Sequence, residues 1–224
     1  MASRMLFLSQ KLINVQKDLT DISKMPIGDE SGFGIVHKGK FHKRHHHREE
    51  IIDCAIKYIK PKISLEEDIP SVIQELKMQS YIKHDALLPL LGYYVPFGGI
   101  GKITIVTPLM VNGSLKQLLD KEAKSIAPLE WDNTKRMITI IGVSSGLCRM
   151  HQENLIHRDI KPANILLDDD FHPKICDFGI SKIFEEGLNE IRERTNCGTL
   201  PYEAPEMLQS EYNSKVDVYA YGLV

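Results

Sequence analysis

Cysteine is scarce in this chain, and a long apolar run, a charge excess of either sign, an internal repeat and a flexible linker are all missing. The four cysteines, Cys54, Cys148, Cys176 and Cys197, show no C-x-x-C pairing. They read as reduced cytosolic thiols, which argues against a disulfide framework and for the cytoplasm. No apolar run approaches the ~18 residues that a membrane span requires, so no transmembrane segment is expected. The N-terminal stretch "MASRMLFLSQKLINVQKDL" holds an apolar run of only four residues and no small-residue cleavage site, unlike a secretory signal. Lys and Arg (28) nearly balance Asp and Glu (30). No global field therefore marks a nucleic-acid binder, and no nucleic-acid partner is expected.

The composition that remains is that of an ordinary globular protein, with 42% apolar and 26% charged residues over 224 positions. Such a length buries a substantial core as one large domain or two small ones. Leu8, Leu12, Val15 and Leu19 fall at helical spacing. Residues 1–20 are therefore expected to form an amphipathic helix on the domain that follows, or a loosely held tail. The one biased segment, "HKRHHHREE" from His42 to Glu50, lacks the spaced pattern of a metal site and reads as a solvated hairpin tip.

Residues 34–60 alternate in the manner of strands: "GIVHKGKF", the His-rich turn, then "IIDCAIKYIK" with Pro61 ending it. "IPSVIQELKMQSYIKH" reads as a helix, with Pro70 suited to its first turn. "ALLPLLGYYVP" and "KITIVTPLM" read as two strands joined through Phe97-Gly98-Gly99. From Asn112-Gly113-Ser114, a turn and cap, the texture becomes helical. "WDNTKRMITIIGVSSGLCRMHQ" is predicted to be a long helix, with Asp132 as N-cap and Met137, Ile141, Ser144, Leu147 and His151 on one stripe. A small, mostly β part (21–111) thus precedes a larger, mostly helical part (112–224).

Polar chemistry concentrates in "HRDIKPANILLDDDFHPKICDFG", from His157 to Gly179. Asn164 and Asp177 offer hard oxygen ligands of the kind Mg²⁺ prefers when it arrives with phosphates. Asp159 is placed to accept a hydroxyl proton, and Lys161, two positions on, to neutralise charge on a migrating phosphoryl group.

H-R-D-x-x-x-x-N followed by D-F-G resembles the catalytic and metal-binding loops of the protein kinases. The rest of the chain from about Ile27 is similar to that family too: "CAIK" to its V-A-I-K strand, "GTLPYEAPE" to the end of its activation segment, "DVYAYG" to the start of its central large-lobe helix. The resemblance implies an α+β, two-lobed protein-kinase-like fold, a small antiparallel β lobe with one helix beside a larger helical lobe. It implies ATP and Mg²⁺ as cofactors and a protein substrate. Lys57 would hold the α- and β-phosphates and Glu75 would pair with it. Ile27, Gly28, Gly34 and Val36 would form the glycine-rich loop and its flanks. Thr107 would stand at the gatekeeper position, the carbonyl of Pro108 and the backbone of Met110 would bind adenine, and Ala55 and Leu166 would sandwich it. Thr199 resembles the residue that hydrogen-bonds around the catalytic base.

Lys161 within "HRDIKPAN" points to serine/threonine transfer, and the loop and hinge resemble the tyrosine-kinase-like group. Arg158 supplies a cation able to bind a phosphorylated activation segment, with Thr195 as the expected phosphosite, filled by an upstream kinase or by autophosphorylation. Three departures stand against the family pattern. Ser31 replaces the middle glycine of "IGDESGFG", and one residue is inserted there. Gln79, one turn after Glu75, stands where an apolar residue is usual. An uncapped helical pattern runs off the end at "KVDVYAYGLV", so the large lobe is expected to be truncated, without its final helices. The alternative is a pseudokinase-like nucleotide-binding signalling module without phosphoryl transfer. A metabolic small-molecule kinase is disfavoured by the "APE" ending.

Overall fold

The computed structural model describes residues 11–27, 34–45, 48–59, 72–73, 76–96, 102–183, 198–209 and 211–224. They fall in two compact units, one comprising Met1–Tyr81 with Pro89–Leu109, the other Ile82–Leu88 with Met110–Val224. The first unit opens with a single helical turn, α1 (Val15–Asp18), and a short strand, β1 (Leu19–Thr20). Strands β2 (Gly34–His45) and β3 (Arg48–Ile59) then pair antiparallel from Gly34↔Ile59 to His45↔Arg48. The described His-rich residues, 42–45 and 48–50, therefore lie on the paired arms of a hairpin. Helix α2 follows at residues 72–73 and 76–81, then β4 (Gly92–Tyr94) and β5 (Thr104–Pro108). The sheet has the order β1-β2-β3-β5-β4, with every neighbouring pair antiparallel.

Alternation along β3 gives the sheet two faces. Cys54 and Ile56 point to one, where they are buried with Ile13, Leu19, Phe41 and Val106. The opposite face carries Ile105, which packs with Val72 and Leu76 of α2, Leu90, Tyr93 and Ile103. Val36, Ala55, Lys57 and Thr107 share that second face, because Val36 pairs with Lys57, Thr107 with Ala55 and Ile105 with Lys57. These four are only partly buried.

The expected N-terminal amphipathic helix is reduced to one turn in its described part, residues 11–20. The Asn14 side chain accepts hydrogen bonds from the Gln16 and Lys17 amides, and Asp18 Oδ2 accepts one from the Asn14 amide at 2.7 Å. These local bonds compete with helix propagation on both sides of the turn. Leu12, assigned to the apolar stripe, is 59% exposed, while Ile13 and Leu19 are the buried residues.

In the second unit α3 (Leu115–Ala123) starts at a capping box, with Ser114 accepting from the Gln117 amide and Gln117 reaching back to the Ser114 amide. Asp132 caps α4 (Asn133–Gln152) by accepting from the Lys135 amide. Strands β6 (Leu155–Ile156), β7 (Ile165–Leu167), β8 (Pro173–Ile175) and β9 (Lys182–Ile183) form two small ladders, β6 with β9 and β7 with β8. Helix α5 (Lys215–Gly222) closes the described chain. Of the stripe assigned to α4, Leu147 alone is buried. Thr139, Val143, Gly146, Leu147 and Met150 are buried, whereas Met137 and Ile141 are 53% and 59% exposed. Close approach decides the face: a Cβ on Gly142 would stand 2.5 Å from Pro173 Cγ, and one on Gly146 3.0 Å from Ile175 Cδ1. No helix among the described residues is long and apolar enough to cross a membrane.

Candidate active site

The polar loop runs from β6 to β7 and is anchored from beneath. Asp217, in the first turn of α5, is 1% exposed and accepts from the backbone amides of His157 and Arg158, each at 2.8 Å, and from His151 Nε2 at 2.8 Å. A buried carboxylate with three donors is stabilised where a lone one would be costly. The anchor accommodates Arg158, whose φ of 69° lies in the left-handed region that non-glycine residues rarely adopt. His157, fully buried, accepts from the Asp159 amide at Nδ1 (3.3 Å) and donates from Nε2 to the Cys176 carbonyl (3.0 Å). Its ring packs on Phe178 at 5.4 Å between centroids. The loop and the Asp177 turn are thus tied by one neutral imidazole.

Above this base Asp159 is held at both oxygens. Thr199 Oγ1 donates to Oδ1 at 2.9 Å; Lys161 Nζ and Asn164 Nδ2 donate to Oδ2 at 2.7 and 2.8 Å. Lys161 also donates to the Thr199 hydroxyl at 2.7 Å, closing a ring of three side chains. Asn164 Nδ2 makes a second bond to the Asp159 carbonyl at 2.8 Å, so the amide is oriented and its Oδ1 accepts nothing among the described residues. The backbone carbonyl of Asn164 accepts from the Cys176 amide at 3.0 Å, which brings the Asp177 turn beside it. Asp177 has a φ of 67°, is partly buried, and its carboxylate makes no hydrogen bond or ion pair among the described residues. An oriented free amide oxygen and an unpartnered carboxylate on adjoining backbone fit a hard divalent cation such as Mg²⁺.

Residues 29–224 match the family model described as the protein kinase domain. The chain belongs to the protein kinase family. The chain is 32% identical over 95% of its length to receptor-like kinase TMK2 of Arabidopsis thaliana, covering 23% of that protein. It is 33% identical over 97% of its length to a putative L-type lectin-domain containing receptor kinase V.8 of the same plant, covering 33% of it. To a putative serine/threonine-protein kinase of Helianthus annuus it is 34% identical over 90% of its length, covering 79% of that protein. The chain thus spans a third or less of the first two relatives. The small antiparallel unit with its helix and the mainly helical unit are the two lobes of the protein kinase fold.

The remaining sequence-assigned residues of the kinase domain divide between the two units. In the β unit, Val36, Ala55, Lys57 and Thr107 share one sheet face, and Ile27 donates its amide to the Val36 carbonyl at 2.8 Å. Gly34 lies where a Cβ would meet the Tyr58 carbonyl oxygen at 2.4 Å, so only glycine fits. Pro108 ends β5 opposite Cys54. In the helical unit, the Met110 carbonyl accepts from the Gly113 amide at 3.1 Å, and Leu166 lies in β7, bridged to Ser114. Arg158 donates from Nε to the Ile180 carbonyl and from Nη1 to the Tyr212 hydroxyl at 2.9 Å. Gly28, Glu75 and Thr195, with the rest of the glycine-rich loop from 29 to 33, Pro70 and the Phe97-Gly98-Gly99 turn, lie outside the described residues.

Two contributors were not assigned from sequence: Tyr212, buried among Ile156, Ala204, Met207 and Val216, and Asp217 as the loop's anchor. The available signal for Asp217 was an acidic residue on the buried face of α5 beside Val216 and Ala220.

Proposed function

We propose that this domain transfers the γ-phosphoryl group of ATP to a serine or threonine hydroxyl of a protein substrate. The observation that carries the reading is the three-sided grip on Asp159 by Thr199, Lys161 and Asn164, which fixes the direction of one carboxylate. The substrate oxygen forms the new bond to phosphorus, the bond from phosphorus to the bridging β–γ oxygen breaks, and the hydroxyl proton goes to Asp159 while ADP leaves. Lys161 sets its ammonium against the charge on the transferring group. Mg²⁺, when bound at Asn164 and Asp177, neutralises phosphate charge. Lys57 holds the α- and β-phosphates and Glu75 orients it; Ile27, Gly28, Gly34 and Val36 line the glycine-rich loop. Ala55, Thr107, Pro108, Met110 and Leu166 serve the adenine.

Lys161 within "HRDIKPAN" favours a serine/threonine acceptor, and its bond to Thr199 builds it into the base's own support. The sunflower relative, named a putative serine/threonine-protein kinase, agrees with that class. Control is assigned to Thr195, phosphorylated by an upstream kinase or by autophosphorylation, with Arg158 as its receiver. The domain works in the cytoplasm.

Phosphate incorporation from labelled ATP with Mg²⁺ into a basic protein substrate tests the proposal, run beside Asp159→Asn. Incorporation that disappears in the variant supports it. A folded protein that binds nucleotide but shows no Asp159-dependent incorporation is instead the pseudokinase-like signalling module.

A further inference from the structure

One segment closes both edges of the small sheet. At the β4 edge, the Tyr93 amide donates to the Lys11 carbonyl (2.9 Å) and the Ile13 amide to the Tyr93 carbonyl (3.0 Å). At the opposite edge, Leu19 and Thr20 pair with Phe41 and Lys40 of β2. Between these contacts the segment crosses one face of the sheet, with Ile13 and Leu19 buried over Phe41, Cys54, Ile56 and Val106. Polar side chains fasten it to β2. Asp18 and Lys40 reach Arg44 and Asp21 at 3.1 and 3.4 Å, and Arg44 Nη2 also donates to the Lys17 carbonyl. His42 Nδ1 donates to Glu49 Oε1 at 3.1 Å, and its Nε2 hydrogen-bonds with the Thr20 hydroxyl at 2.8 Å.

We propose that residues 11–21 are a releasable strap whose docking on the sheet controls nucleotide binding by β3. The proposal rests on the reading of Lys57 as a phosphate-binding residue. Release is local because the attachment is thin. Among the described residues it includes short backbone pairings, two deeply buried side chains, the exposed Thr20–His42 hydrogen bond and ion pairs with exposed members, Arg44 at 53% and Lys40 at 46%. The β2–β3 ladder beneath it is paired at every described position from Gly34 to His45. Segments with few buried contacts open at free energies below that of global unfolding. Control follows from the alternation of β3. Cys54 and Ile56, both fully buried, lie under the strap, and Ala55 and Lys57 stand between and beyond them on the other face. Releasing the strap wets the back of the strand that carries Lys57.

Cys54 is the built-in reporter. In the full chain, hydrogen exchange followed by mass spectrometry should find residues 11–20 exchanging faster than 52–59. Arg44→Ala, a substitution outside the nucleotide machinery, should raise both strap exchange and peptide-resolved alkylation of Cys54 by about three- to tenfold, the scale of losing exposed pairs. It should weaken binding of a fluorescent ATP analogue with Mg²⁺ by a similar factor. Ile13→Ala, which removes a buried anchor, should act in the same direction and further. Strap and β3 exchanging as one unit, or Cys54 alkylation unmoved in both variants, overturns the strap. Faster alkylation with unchanged analogue affinity overturns the control. A wild-type chain that opens its strap but binds no analogue overturns the Lys57 reading, and the control with it.

Discussion

The hydroxyl of Thr199 donates to Asp159 Oδ1 at 2.9 Å across 40 positions of sequence, while accepting from Lys161 at 2.7 Å. That hydroxyl joins the segment that ends in "APE" to the proposed base. Thr199→Val keeps the volume and removes both bonds. The expected result is a fall in kcat of about 10- to 100-fold, the range of a misplaced general base, with KM for ATP little changed. Thr199→Ser restores the hydroxyl and should recover most of the rate. Steady-state kinetics on the three proteins checks this, and equal rates for Val and Ser would remove Thr199 from the mechanism.

Asp217 presents the opposite case, a residue remote from substrate with a large structural effect. Asp217→Asn keeps the shape but turns an amide N–H₂ toward a site that offers only donors from His157, Arg158 and His151. Leaving buried donors unmatched costs about 2–4 kcal/mol. Thermal and urea melts should show that loss, and the left-handed Arg158 backbone should relax with it. A variant as stable as the parent would mean that the loop holds its own conformation.

Legibility followed sequence distance. Asp159, Lys161 and Asn164 lie within six positions, and the residue types needed for phosphoryl transfer stand side by side in the chain. Asp217 contacts the loop across 60 positions, and an aspartate early in a helix reads equally well as a favourable charge at the positive end of its dipole. The α4 face failed because apolar residues occur on both sides of the helix, so periodicity could not choose; the glycines, not the large residues, mark the contact. The N-terminal segment failed for a related reason. Its leucines are spaced for a helix, but Asn14 and Asp18 cap a single turn, and the open edges of a sheet accept the rest as strand.

Gly142 and Gly146 separate helix propensity from packing. Glycine to alanine inside a helix ordinarily gains about 1 kcal/mol. At Gly142 the new methyl would stand 2.5 and 2.8 Å from the Pro173 ring, which cannot rotate away. Overpacking of that kind costs about 1–3 kcal/mol, so Gly142→Ala should lose about 1 kcal/mol net. At Gly146 the nearest atom, 3.0 Å away, is the Cδ1 end of the Ile175 side chain, with Ala86 Cβ at 3.2 Å. Gly146→Ala should therefore lose less. Urea denaturation of both variants decides it, and a stabilised Gly142→Ala would show that α4 shifts freely on β8.

Cys54 gives the fold a pH dependence of known sign. Burial, with the Asp53 carboxylate beside it, pushes its thiol from an ordinary 9.0 up to about 11. The unfolded chain releases this proton near pH 9 and the folded chain only near 11. Between those values the unfolded state binds fewer protons, so stability falls as pH rises; below pH 9 this contribution is fully present. Two pH units of difference correspond to at most about 2.7 kcal/mol. Tyr58 and Tyr93, whose phenols burial also raises, titrate in the same region, so the comparison must remove the thiol alone. Urea melts of the parent and Cys54→Ala at pH 8 and pH 10.5 do that. Cys54→Ala should be the less stable protein at pH 8, because it leaves a gap among Phe41, Ile56 and Val106. The difference should shrink at pH 10.5, where the parent alone must keep a thiol protonated against the solvent. A constant difference at both values would mean that Cys54 meets water in the folded state, and the face beneath residues 11–20 is then open rather than sealed.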